Sequence, residues 1–172
     1  MTEMKNDILF SENQRFNQWW LLALTLGVFI FASYALIRQV FLDNPFINNP
    51  ISNNALIGSW ISALIINLLF FGIRLQTRIK NDGIYIRFFP FMLAYKHYAW
   101  DGLSACYVRQ YSPLGEFGGW GYRFGAGGKA FNISGNKGLQ LKFKNNKRLL
   151  IGTQKPLEIE STLTSLGKII PA

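Results

Sequence analysis

The stretch from Gly115 to Gly138 holds nine of the chain's sixteen glycines, together with Glu116, Arg123, Lys129 and Lys137. Glycine-rich loops with nearby cations can cradle phosphate, because bare backbone N–H groups approach an anion closely. A P-loop would need a glycine where Arg123 stands and a Ser or Thr where Ala130 stands, so this is not one. The glycines read instead as tight turns and bulges between short strands, with Trp120 packed on them. Glu116, Arg123, Lys129 and Lys137 are kept as a candidate loop binding site. His97 is the single histidine, and no Cys, Asp or Glu accompanies it at ligand spacing, so no metal site is expected. The lone Cys106 excludes an internal disulfide and reads as a small buried apolar residue. Of the carboxylates after residue 73, Asp82 and Asp101 suit turns, and Glu158 and Glu160 suit a helix start. Only Glu116 is loose. No nucleophile–base pair is readable. The expectation is a protein that is not an enzyme and carries no cofactor.

The elements that position these residues begin with two apolar runs. Trp20 to Ile37 and Ala55 to Ile73 contain no Asp, Glu, Lys or Arg and are about the length of a bilayer-spanning helix. The first is longer than a signal-peptide core and follows 18 mostly polar residues, so both are read as retained. The expected organisation is a cytoplasmic tail (1–18), transmembrane helix 1 (19–38), an extracytoplasmic loop (39–54), transmembrane helix 2 (55–73) and a cytoplasmic domain (74–172). Arg74, Arg78 and Lys80 crowd the end of the second run, whereas residues 39–54 contain no Lys or Arg. The positive-inside rule then puts both termini in the cytoplasm of a multi-pass inner-membrane protein. Asn67 is the most polar side chain in either run and falls opposite Thr25 in an antiparallel hairpin, where an amide bond would hold the helices together. Gly58 with Ser62, and Ala23 with Gly27, offer small-residue faces for helix packing.

After Arg74 the apolar period changes from helical to two. Leu75, Thr77 and Ile79 alternate with polar residues, Asn81-Asp82-Gly83 turns the chain, and Ile84, Ile86 and Phe88 continue the pattern. Strands follow near residues 94–100, 105–111, 122–124, 130–133, 139–143 and 149–151. Pro156, Glu158 and the stripe Ile159, Leu163 and Leu166 then mark one amphipathic helix ending at Gly167. The expected fold class is α+β: a two-helix transmembrane hairpin, then an antiparallel barrel or sandwich of seven or eight strands closed by a C-terminal helix.

Five segments resemble a shared pattern: Tyr111-Ser112-Pro113, Gly118-Gly119-Trp120-Gly121, Gly128-Lys129-Ala130-Phe131-Asn132, Ser134-Gly135-Asn136-Lys137-Gly138-Leu139 and Ile151-Gly152-Thr153-Gln154-Lys155-Pro156. The pattern is that of bacterial membrane proteins with two N-terminal transmembrane helices and a pleckstrin-homology-like cytoplasmic domain. The resemblance covers roughly residues 20–168 and implies an architecture, with no activity attached.

The formal net charge of +9 arises after residue 73, where fifteen Lys/Arg face five Asp/Glu. These cations are dispersed and no nucleic-acid-binding motif accompanies them, so nucleic acid is not an expected partner. Lys80 and Arg87 match two positions of an inositide-binding pattern, but Phe89 replaces its second arginine, which predicts no head-group selectivity. The expected partner is the anionic leaflet, contacted by Arg74, Arg78, Lys80, Lys142, Lys144, Lys147 and Arg148. A homo-oligomer or a membrane-protein partner could use the aromatics Phe88, Phe89, Phe91 and Tyr95. The function expected is a membrane-anchored binding or scaffolding module. The alternative is an accessory subunit of a transporter or envelope complex, docked through its hairpin.

Overall fold

The computed structural model describes residues 8–16, 18–45, 51–125 and 127–169. Glu3, Lys5 and Asp7 of the expected tail, and Asn48, Asn49 and Pro50 of the expected loop, lie outside them. The chain divides into two compact units, Met1–Phe16 with Ile73–Ala172, and Asn17–Gly72.

The first unit is built on nine strands among the described residues. One sheet has the order β1 (Ile8–Arg15), β2 (Arg74–Lys80), β3 (Gly83–Phe89) and β4 (Lys96–Ala99), all antiparallel. The other runs β5 (Leu103–Gln110), β8 (Lys137–Phe143), β9 (Arg148–Gly152), β7 (Gly128–Asn132) and β6 (Gly121–Gly125). A short helix, α3 (Pro113–Phe117), links β5 to β6, and α4 (Pro156–Ser165) follows β9. Period-two alternation buries one face of the first sheet, whereas the second also buries Ala130 and Leu150 on its other face, in a smaller cluster with Tyr111 and Phe117. Leu75, Ile79, Ile84, Ile86 and Phe88 meet Cys106, Leu139, Leu141, Leu149 and Ile151 in a single core. From α4, Ile159 and Leu163 close that core, and Gly167, at φ +63°, ends the turn after the helix.

Three expectations change. Residues 8–15 are not a tail; they form β1, in register from Arg15 opposite Arg74 to Ile8 opposite Lys80. The strand escapes hydrophobic periodicity because two of its three buried side chains are polar. Glu12 accepts bonds from the Thr153 hydroxyl (2.7 Å) and the Gln154 N–H (2.8 Å), and Gln14 donates to the Gly152 carbonyl (2.7 Å). Secondly, the sheets are not wholly antiparallel, since β7 and β9 pair in parallel. Gly128 permits this. Its φ is +98°, and a Cβ there would stand 2.5 Å from the Arg148 carbonyl oxygen. Thirdly, Glu116 lies on a helix. Ser112 caps α3 by accepting from the Gly115 N–H, and Pro113 suits its first turn.

The second unit contains α1 (Trp19–Leu36), which continues as one π-helical turn over Ile37–Phe41, and α2 (Asn53–Gly72). Both are long and apolar enough to cross a bilayer. The first helical segment runs past its expected end at residue 38. Gln39, in the π turn, donates to the Ile51 carbonyl and to Asn53 Oδ1, both at 2.7 Å.

Candidate functional site

The outward face of β2 carries Arg74, Gln76, Arg78 and Lys80, because Leu75, Thr77 and Ile79 take the core side. Register adds Arg15 from β1 opposite Arg74, and Arg87 from β3 opposite Gln76. Five cations thus share one sheet face, and none forms an ion pair among the described residues. The face is ordered around Tyr95. The Arg78 and Arg87 guanidinium carbons lie 4.5 and 5.0 Å from its ring centroid. The Tyr95 hydroxyl and Arg87 Nε both donate to Gln76 Oε1, at 3.0 and 2.7 Å. These contacts fix side chains that would otherwise lose rotamer freedom on meeting an anion. No outward-facing carboxylate interrupts the four strands. The nearest, Asp82, sits in the β2–β3 turn, where the Tyr85 hydroxyl bond holds its carboxyl below the usual value, and His97 lies 3.6 Å away. His97 itself stacks on Tyr85, with centroids 4.4 Å apart.

The other predicted cations lie elsewhere. On β8, Leu139 and Leu141 face the core and Lys142 faces outward, beside the Tyr107 ring. Lys144 and Lys147 occupy the exposed turn before Arg148. The residues expected to contact the leaflet therefore fall in two groups, Arg74, Arg78 and Lys80 on β2, and Lys142, Lys144, Lys147 and Arg148 on the β8–β9 hairpin. Lys147 and Arg148 instead join Lys96 and Lys129 around a cleft.

The candidate loop site of Glu116, Arg123, Lys129 and Lys137 does not assemble. Glu116 is committed to Arg109 through two bonds of 3.1 and 2.6 Å, and also accepts from the Ser112 N–H. The Arg109 hydrogen bonds hold this carboxyl below its ordinary value. Arg123 donates to the Trp120 carbonyl, Lys129 lies over the Phe124 ring, and Lys137 stands opposite Gln110 at the start of β8.

In the two-helix unit the structure brings Thr25 and Asn67 together. The Asn67 amide donates to the Thr25 carbonyl at 3.1 Å and to the Ala63 carbonyl at 2.9 Å. A second polar bridge runs from Trp60 Nε1 to the Ser33 hydroxyl at 2.8 Å. Gly58 and Ser62 do not pack the hairpin. The inner side of α2 is Leu56, Ala63 and Asn67, and the Gly58–Ser62 side is exposed, as Gly27 is on α1.

The model of a family of unknown function, DUF6141, matches residues 1–168. The chain belongs to that family. No curated protein matches it. The DUF6141 match spans both units, so the helices and the sheets are parts of one family pattern.

Within this DUF6141 chain, sequence reasoning missed Arg15 and Arg109, and it met Arg87 only as half of an inositide pattern. Its place on the outward face was legible from the alternation of β3. Arg15 was hidden with its strand, and Arg109 meets Glu116 only because a helix folds back across the end of β5. Cys106 is fully buried, and burial pushes its thiol pKa up to about 12, which leaves it unreactive. No cluster of three His, Cys, Asp or Glu that could hold a metal occurs among the described residues.

Proposed function

We propose that this protein is a membrane-anchored, non-catalytic binding or scaffolding module of the bacterial inner membrane. Its termini are cytoplasmic, and its pleckstrin-homology-like domain contacts the anionic leaflet. The supporting architecture is two bilayer-length apolar helices beside two sheets closed by a C-terminal helix. The observation that carries the reading is the five-cation face beginning at the register pair Arg15–Arg74. Three residues join β1 to α1 and one joins α2 to β2, so the chain passes to and from the apolar helices at that end of the sheet. Phe89 opposite Arg74, then Phe91 (66% exposed) and Leu93 (73%) in the next loop, supply apolar groups at the same end. Cations flanking exposed apolar side chains suit the headgroup region, and each cation contributes about 1 kcal/mol near an anionic surface.

Arginine modification by phenylglyoxal tests this with the full chain in nanodiscs. Arg74, Arg78 and Arg87 should react several-fold more slowly in discs containing phosphatidylglycerol than in pure phosphatidylcholine, with the difference collapsing at high salt. Arg123 should react equally in both. Equal rates at all four arginines would sink leaflet contact.

A second reading rests on the exposed Gly27 and Gly58–Ser62 sides of the helices, which leave the hairpin room to dock against another membrane protein or a second copy. This would make the chain an accessory subunit. Exchanging the hairpin for an unrelated one separates the readings: arginine protection survives if the domain meets lipid, and is lost if the hairpin recruits the partner that covers it.

A further inference from the structure

A cleft of about 760 Å³ opens between β4 and the turns that join β6 to β7 and β8 to β9. That volume suits a small ligand. Four cations line it, Lys96, Lys129, Lys147 and Arg148, with no carboxylate among its lining residues and no ion pair on any of the four among the described residues. Its remaining walls are aromatic. Tyr98 and Phe143 contact each other at 5.5 Å between centroids, and Phe124 is 62% exposed. Lys129 is held 5.2 Å from the Phe124 centroid and Lys96 5.5 Å from that of Tyr98, so rings and charges alternate around the opening. The fold builds this juxtaposition. The parallel β7–β9 pair, permitted by Gly128, sets Lys129 opposite Leu149, and Arg148, one residue earlier and opposite Lys142, also lines a second pocket that contains Glu116.

We infer that this cleft binds a phosphate monoester or polyphosphate carried on an apolar, ring-sized body. Several cations without a counter-charge match a multiply charged oxyanion, for which lysine is a point-charge donor and arginine a forked one. The aromatic walls match a flat group attached to it. The leaflet contact proposed above plays no part in this inference. Trp100 donates to the Asn81 carbonyl in the β2–β3 turn, and the Lys144 N–H donates to the Gly102 carbonyl. These bonds set the β8–β9 turn at the end of β2 remote from Arg74, about 20 Å away along six residues of strand.

Hydrogen exchange read by mass spectrometry on the full chain in nanodiscs tests the site. One arm adds ADP to neutral phosphatidylcholine discs; the other uses discs containing phosphatidic acid. ADP is expected to slow exchange in residues 143–149 several-fold. Lys129→Gln combined with Lys147→Gln, both exposed side chains, should abolish that protection while leaving the core strands' exchange unchanged. Lys137→Gln combined with Lys144→Gln removes the same charge outside the cleft and should leave it intact. Protection by phosphatidic acid and not by ADP would assign the phosphate to a lipid and keep the site. Protection in neither arm overturns the inference, as does protection unchanged in the Lys129/Lys147 variant or lost equally in the Lys137/Lys144 variant.

Discussion

Glu116 shows how a side chain that looks free in the sequence is engaged in the fold. Arg109 approaches it with two guanidinium nitrogens, and Arg109 Nε also donates to Gln140 Oε1 at 3.0 Å, so the carboxylate belongs to a small structural network. Both partners keep part of their side chains in water, which limits the pair to about 0.5–1 kcal/mol. The carboxyl is held below its ordinary value of 4.5, so its stabilisation is complete above that value and is lost as pH falls through the lowered folded value. Glu116→Gln should therefore lower the thermal midpoint at neutral pH, and the two midpoints should converge on acidification. A difference that persists unchanged in acid would mean the ionic account is wrong. Sequence could nominate Glu116 but not its partner, because the pairing depends on where α3 places residue 116 relative to β5. Glu12 illustrates the converse. A buried carboxylate among polar neighbours carries no periodic signal, yet it joins β1 to the residues that follow β9.

At the scale of elements, regular alternation was readable wherever the buried face is apolar. β2, β3 and β8 follow Leu75–Ile79, Ile84–Phe88 and Leu139–Leu141, and α4 follows Ile159 and Leu163. β1 was not readable, for the reason Glu12 and Gln14 provide. The parallel β7–β9 pairing was not readable either, since strand order arises from long-range contacts that local spacing does not encode. In the helices, the polar positions identify the facing sides better than the small ones. Phe29, Ser33 and Thr25 meet Trp60 and Asn67, while the glycines face away. Asn67 makes one bond across to α1 and one within α2, and its Oδ1 is left without a partner. Asn67→Leu should accordingly weaken the hairpin by about 0.6–1.7 kcal/mol, the range for a single interhelical bond in a membrane protein. Steric trapping or denaturation in mixed micelles measures this. An unchanged or increased stability would show that the orphaned oxygen cancels the bond.

At the scale of the whole molecule, the two-helix unit interrupts a β-hairpin. β1 and β2 are neighbours in one sheet, Arg15 opposes Arg74, and the Phe16 N–H donates to the Ile73 carbonyl at 3.3 Å where the chain departs and returns. Antiparallel strands with that end geometry are ordinarily joined by two residues, and Asn-Gly adopts the required type I′ turn. Replacing residues 17–72 by Asn-Gly should therefore yield a water-soluble domain with both sheets intact. A chain beginning at residue 73 has the same C-terminal sequence and should fare much worse. It loses Phe10, whose burial is worth about 1.5–3 kcal/mol. It also leaves the Thr153 hydroxyl and Gln154 N–H without their acceptor and exposes β2 as an unpaired edge beside the core. Circular dichroism and thermal melts of the two variants, with gel filtration to detect aggregation, decide between them. Equal stability would mean β1 is dispensable and the domain starts after the second helix, as the charge pattern suggests. A stable turn-linked form beside an aggregating truncation would establish that residues on both sides of the apolar helices build one fold. The Arg15–Arg74 pair would then be a feature of that fold, held where the chain must enter and leave it.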